Sequence, residues 1–171
     1  MPPSSKRHPS LITIRRGGTL EDEHHRLLAS WSADCAERVL HYFEADRPED
    51  SRPRQAIQGA RDWARGEIKM QKARELAWAA HAAAREAQGP AREAARAAGH
   101  AVSVAHMADH ALGGAVYAIR AVRAASADAV RDAAGRAERD WQRQILPEAI
   151  RALVLEDQKR RSRLLWGLFD D

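Results

Sequence analysis

The sequence predicts an all-α protein, a single-domain bundle of about six to seven helices around a central apolar helix or hairpin. Alanine, the strongest helix former, fills about a fifth of the 171 residues and half of the stretch 73–98. Alternating Val/Ile/Thr-rich runs, the mark of strands, are missing apart from Leu11-Ile12-Thr13-Ile14. Between Arg96 and Arg120 the one formal charge is Asp109, and Val102, Val104, Met107, Leu112, Val116, Ile119 and Val122 point all around the helical wheel. A helix apolar on every side is surrounded by other helices.

Residues 1–18 read as a flexible N-terminal arm, with three prolines and Gly17-Gly18 before the first helix. Thr19 with Asp22 three residues on is a helix-start signal. A helix then runs to about Ala45, with Leu20, His24, Leu28, Trp31, Cys35, Val39, Tyr42 and Phe43 on one face. Cys35, mid-face, reads as a buried inert thiol. The turn 47–53 ends this helix, and Ser51 is the expected cap of the next. That second helix turns Ala56, Ile57, Ala60, Trp63 and Ala64 inward and stops near Gly66.

The third helix spans about Ile68 to Ala87. Its inward face is small (Ala73, Ala77, Ala80, Ala84, Ala87), with Met70 and Leu76 as larger fillers. Gly89-Pro90 closes it, and Pro90 opens the central segment, which runs to about Ala124 with a bend expected near Gly113-Gly114. Ser126 starts a helix with the stripe Val130, Ala134, Ala137, Trp141 and Ile145. Pro147 opens the last, with Ile150, Leu153 and Val154 inward. The helical domain thus covers 19–158. Residues 159–171 form a tail, basic at Lys159-Arg160-Arg161-Ser162-Arg163 and then apolar at Leu164-Leu165-Trp166 and Leu168-Phe169, which docks on the body or on a partner.

Composition excludes several function classes. The formal charge of +4 equals the four bases of residues 1–18, which contain no acid; residues 19–171 balance 24 bases against 24 acids. Aromatic residues do not interleave with the basic run at 159–163, so the charge distribution argues against nucleic acid. No apolar run approaches the ~18–20 residues of a membrane span, and the first residues lack a signal-peptide core. A lone cysteine excludes an internal disulfide framework. The expectation is a cytoplasmic protein.

Two constellations draw attention. His106 and His110, four apart, are compatible with a metal site beside Asp109; Ser103 and Tyr117 extend their stripe, and His100 and His81 lie near it. Asp109, however, points about 70–100° away on an ideal helix. Imidazoles bonding across helices to satisfy buried polar groups is the competing reading. Trp78 falls on the polar side of the third helix, between Arg74 and Arg85, the composition of a partner-binding hot spot or of a tryptophan packed under its arginines. No phosphate loop, acid/base pair or exposed Cys–His pair is present, so no catalytic residue and no cofactor is assigned.

The segments 31–44, 52–66, 79–86, 99–110 and 141–151, in that order, resemble bacterial immunity proteins of the immunity-protein-five-like family of polymorphic toxin systems, over about residues 19–158. The resemblance implies a non-enzymatic protein that neutralises a cognate toxin by direct binding in the producing cell. It marks Trp63, His81, His100, His110 and Trp141 as the family-like positions. It also sets a contrast: immunity proteins against basic nucleases often present acidic surfaces, whereas this body is neutral, which leaves occlusion by shape. A metal-binding helical bundle or enzyme centred on His106 and His110, a helical nucleic-acid-associated protein, and a homodimer stay open as other readings.

Overall fold

The computed structural model describes residues 7–171. Seven α-helices follow in order: α1 Asp22–Asp46, α2 Arg52–Ala64, α3 Met70–Glu86, α4 Gly89–Ser103, α5 Ala111–Ala125, α6 Arg131–Gln144 and α7 Glu148–Arg161. Among the described residues there is no strand beyond a single bridge between Thr13 and Leu20, and no helix is long and apolar enough to cross a membrane.

The central element is a hairpin, α4 and α5. α4 packs against α1, α2, α3 and α5, and α5 against α1 and α6. The alanines of α4 from Ala91 to Ala101 are all buried. With only methyl groups between the backbones, helix axes come close enough for four neighbours to surround one helix. The larger side chains filling the core come mainly from α1 (Leu28, Trp31, Val39, Leu40, Phe43) and α5 (Leu112, Val116, Ile119), with Cys35 fully buried among them. Burial pushes the Cys35 thiol well up, so it is inert at neutral pH.

Several local expectations need correction. The hairpin breaks at 104–110 and not at Gly113-Gly114, which lie inside α5. Those glycines serve close approach instead: a Cβ on Gly114 would sit 2.1 Å from the Ser32 hydroxyl, which donates to the Ala111 carbonyl. α1 begins at Asp22 rather than Thr19. Ser51 makes no cap hydrogen bond; the Asp50 carboxylate takes the Arg52 N–H instead. Met70, expected inward, is exposed. Residues 7–18 of the expected arm lie docked on the body, with Leu11 only 3% exposed and Arg7 bonded to Asp109 at 2.7 Å. Apolar Leu11 and an ion pair 102 residues away in sequence outweigh the prolines and glycines that suggested a free segment. Residues 1–6 of that arm lie outside the described residues.

α6 departs most from its apolar stripe. Val130 and Ala137 are exposed, while Gly135, Glu138, Arg139 and Gln142 are buried. Hydrogen bonds to other helices accompany this rotation: Gln142 Nε2 donates to the Ala115 carbonyl, the Gln142 backbone carbonyl accepts from Trp31 Nε1, and Glu138 accepts from Arg38 at 2.8 Å. Arg38 also covers the Trp141 ring. Arg38→Met strands the buried Glu138 carboxylate and is expected to cost about 3 kcal/mol, whereas Glu138→Gln keeps an acceptor and costs about 1 kcal/mol. Urea unfolding of the two variants checks the asymmetry, and equal losses would contradict it.

The tail docks back on the body. Phe169 is buried, its carbonyl accepts from Arg143, and the Asp171 carboxylate pairs with the same guanidinium at 2.7 Å. Leu164 and Trp166 stay exposed. Half of the basic run is engaged: buried Asp157 pairs with both Arg160 and Arg161.

Candidate functional site

The fold gathers four of the histidines into a row. His81 comes from α3, His100 from α4, His110 from the short turn opening α5, and His106 from the hairpin loop. Successive ring centroids are 5.2, 5.2 and 5.1 Å apart. His100 Nδ1 and His110 Nδ1 share a hydrogen bond of 3.1 Å. Tyr117, one turn and a half into α5, stacks on His100 at 5.0 Å with 17° between planes. Tyr117 in turn meets the edge of Trp166, and the Arg120 guanidinium lies 4.2 Å from the Trp166 ring. Trp166 itself has a left-handed backbone conformation (φ 58°), which a bulky residue rarely adopts, as the cap that ends the short turn 162–165.

Two glycines make room for the row. A Cβ on Gly99 would lie 2.6 Å from the His81 ring, and one on Gly113 would lie 2.4 Å from His100 Nδ1. Gly113→Ala is therefore expected to displace the His100 ring and destabilise the fold by about 1–3 kcal/mol, the usual range for overpacking. Thermal unfolding, with the imidazole NMR shifts of His100 and His110, measures it; unchanged shifts would show that the ring had not moved.

Burial is the leading cause of lowered basicity in every member of the row. His100 is pushed down to about 3 and His110 to about 4, each further opposed by a neighbouring histidine. His81 and His106 are lowered in the same direction. At neutral pH the His100–His110 pair is uncharged, so one Nδ1 donates and the other accepts. Asp109, the carboxylate nearest in sequence, turns away to Arg7, and its carbonyl accepts from Arg161. Among the described residues no three His, Cys, Asp or Glu side chains come together as a metal-holding group. The row is built as a chain of ring contacts and one shared proton.

The second feature is the exposed face of α3. Trp78 is 64% exposed, the Arg74 guanidinium lies 5.7 Å from its ring, and Met70, Gln71 and Glu75 complete an open groove of about 390 Å³. Arg85 is also exposed but sits about 10 Å farther along the helix, so the structure joins Trp78 to Arg74 and separates it from Arg85.

The family-like positions divide. His81, His100 and His110 come together. Trp63 and Trp141 stand apart from them and pack instead: Trp63 meets the His25 edge at 4.8 Å, and Trp141 lies under Arg38. His25, buried and bonded to the Val104 carbonyl at 2.6 Å, was not singled out by sequence, nor was the cleft that residues 7–18 form over the 104–110 loop. Burial lowers the basicity of His25 as well. Only its position next to the expected inward residue His24 hinted at that role.

Comparison with curated proteins and with solved structures finds no match. A family model does match, over residues 18–149, from the entry into α1 through the start of α7 and so across the whole histidine row. The chain belongs to the family described as Imm-5 like putative immunity protein.

Proposed function

We propose that the protein neutralises a cognate toxin by direct protein–protein binding in the cytoplasm of the cell that makes it, without catalysing a reaction, and that the Trp78–Arg74 face of α3 is the contact. Family membership across residues 18–149 is the observation that carries this reading. The exposed tryptophan beside an arginine supports the choice of face, because tryptophan and arginine are both enriched among residues that dominate binding energy. The electrically balanced body favours occlusion by shape over charge mimicry of a nucleic acid.

The test is co-expression with the toxin-like reading frame that neighbours the gene. A stoichiometric complex and protection of growth are expected. Neither complex nor protection would end the proposal. Sedimentation of the isolated chain at micromolar concentration separates toxin binding from self-association, since a second copy is the competing occupant of the same face.

A further inference from the structure

The segment before α1 crosses the end of the bundle and, with the 104–110 loop, encloses a cleft of about 320 Å³. Arg7, Arg15 and Arg16 line it, and none of its lining residues is a carboxylate. Arg7 pairs with Asp109, and exposed Arg15 with Asp22 at 3.3 Å, both carboxylates lying outside the lining. Among the described residues Arg16 forms no ion pair.

Two further observations point to a missing acceptor. Thr13 is 7% exposed and lines the cleft, yet among the described residues its Oγ1 has no hydrogen-bond partner. His106 lines the same cleft, and among the described residues its buried Nδ1 is unpartnered as well. Buried polar atoms in folded proteins are nearly all paired, so two such orphans on residues of one lining leave hydrogen-bonding capacity for a bound group to take up. Arginine forks match the geometry of carboxylate and phosphate oxygens, and a hydroxyl and an imidazole N–H add donors of the same polarity.

We propose that this cleft is an oxyanion site, in which Arg16, Arg15 and Arg7 hold a carboxylate or phosphate group and Thr13 and His106 donate hydrogen bonds to it. His106 is lowered first by burial and then by the positive charges of Arg74 and Arg7 nearby. The site is distinct from the Trp78 groove, although Met70 borders both. It stands whether or not the α3 face binds a toxin.

The experiment titrates the full chain with inorganic phosphate and, separately, with the capped dipeptide acetyl-Glu-Glu-amide, at constant ionic strength. Calorimetry and the His106 imidazole NMR shift report binding. Saturable one-to-one binding is expected, weakened about tenfold or more by Arg16→Gln and by Thr13→Val, the loss of one hydrogen bond to a charged group. Thr13→Val removes an unpaired hydroxyl, so its unliganded thermal midpoint should equal or exceed that of the parent. Tighter binding of phosphate supports the site with a free phosphate as its ligand; tighter binding of the dipeptide supports it with an acidic protein segment. No saturable binding of either probe, or binding untouched by both variants, overturns the proposal.

Discussion

Lowering the pH from 7 toward 5 is expected to destabilise the fold steeply, before its carboxylates begin to titrate. Folding depresses His100 to about 3 and His110 to about 4, from an ordinary value of 6.5. The unfolded chain therefore binds protons that the folded chain refuses, in the window between about pH 6.5 and pH 4. Stability is full above that window and is lost as pH falls through it. Each such histidine contributes a slope of about 1.4 kcal/mol per pH unit, so the pair gives about 2–3 kcal/mol per unit near pH 5. The groups facing the pair, His81, His106, Arg96 and Arg161, all oppose its protonation, and only Asp109 favours it at His110. Carboxylates held low by arginines, such as Asp50 beside Arg52, act in a separate window below about pH 4. Urea unfolding between pH 5 and 7.5 measures the slope, and His100→Asn should lower it by about 1.4 kcal/mol per pH unit near pH 5. A flat profile over that range would mean that the row is solvated or already protonated.

Replacing Trp78 by alanine is expected to weaken toxin binding by at least about 30-fold, equivalent to about 2 kcal/mol, while leaving the fold intact. Both halves of that expectation come from position. The side chain contributes little to the core because most of its surface already meets solvent. The same exposure makes it the largest apolar area that α3 offers a partner. Arg74→Ala should cost less, about 1 kcal/mol, since the guanidinium orients the ring and keeps much of its own hydration. Arg85→Ala should leave affinity within about twofold, because that side chain lies two turns from the groove. Calorimetry with the purified toxin partner reads all three, and protection of growth gives a second measure. Wild-type affinity in Trp78→Ala would remove α3 as the contact.

Helix content and the central hairpin were legible because they depend on local quantities. Alanine density, the charge-free stretch around Asp109 and the Gly89-Pro90 stop act within a few residues of themselves. The exposure of Trp78 and the burial of Cys35 follow from helical periodicity alone. The misreadings share a cause. α6 turned about one position away from its apolar stripe because Gln142 and Glu138 find partners on α5 and α1, 27 and 100 residues away. Gly113-Gly114 looked like a hinge, since glycine's use as a spacer shows only when the opposing ring and hydroxyl are in place. The histidine row follows from the loop position, which brings His110 back against His100. An unbroken helix would have put those residues about 15 Å apart along its axis. The cleft over that loop had no local signal at all, because Arg7 and Thr13 belong to a segment whose composition reads as a tail.

Asp109 is gripped from both directions along the chain: its carboxylate by Arg7, ahead of the first helix, and its carbonyl by Arg161, at the end of the last. The order of synthesis then matters. The helices from α1 to α5 can associate as soon as they leave the ribosome, but the loop that carries His106 and Asp109 gains its second clamp only when α7 has emerged. A truncation within α7 would spare most helices yet leave that loop held by a single arginine.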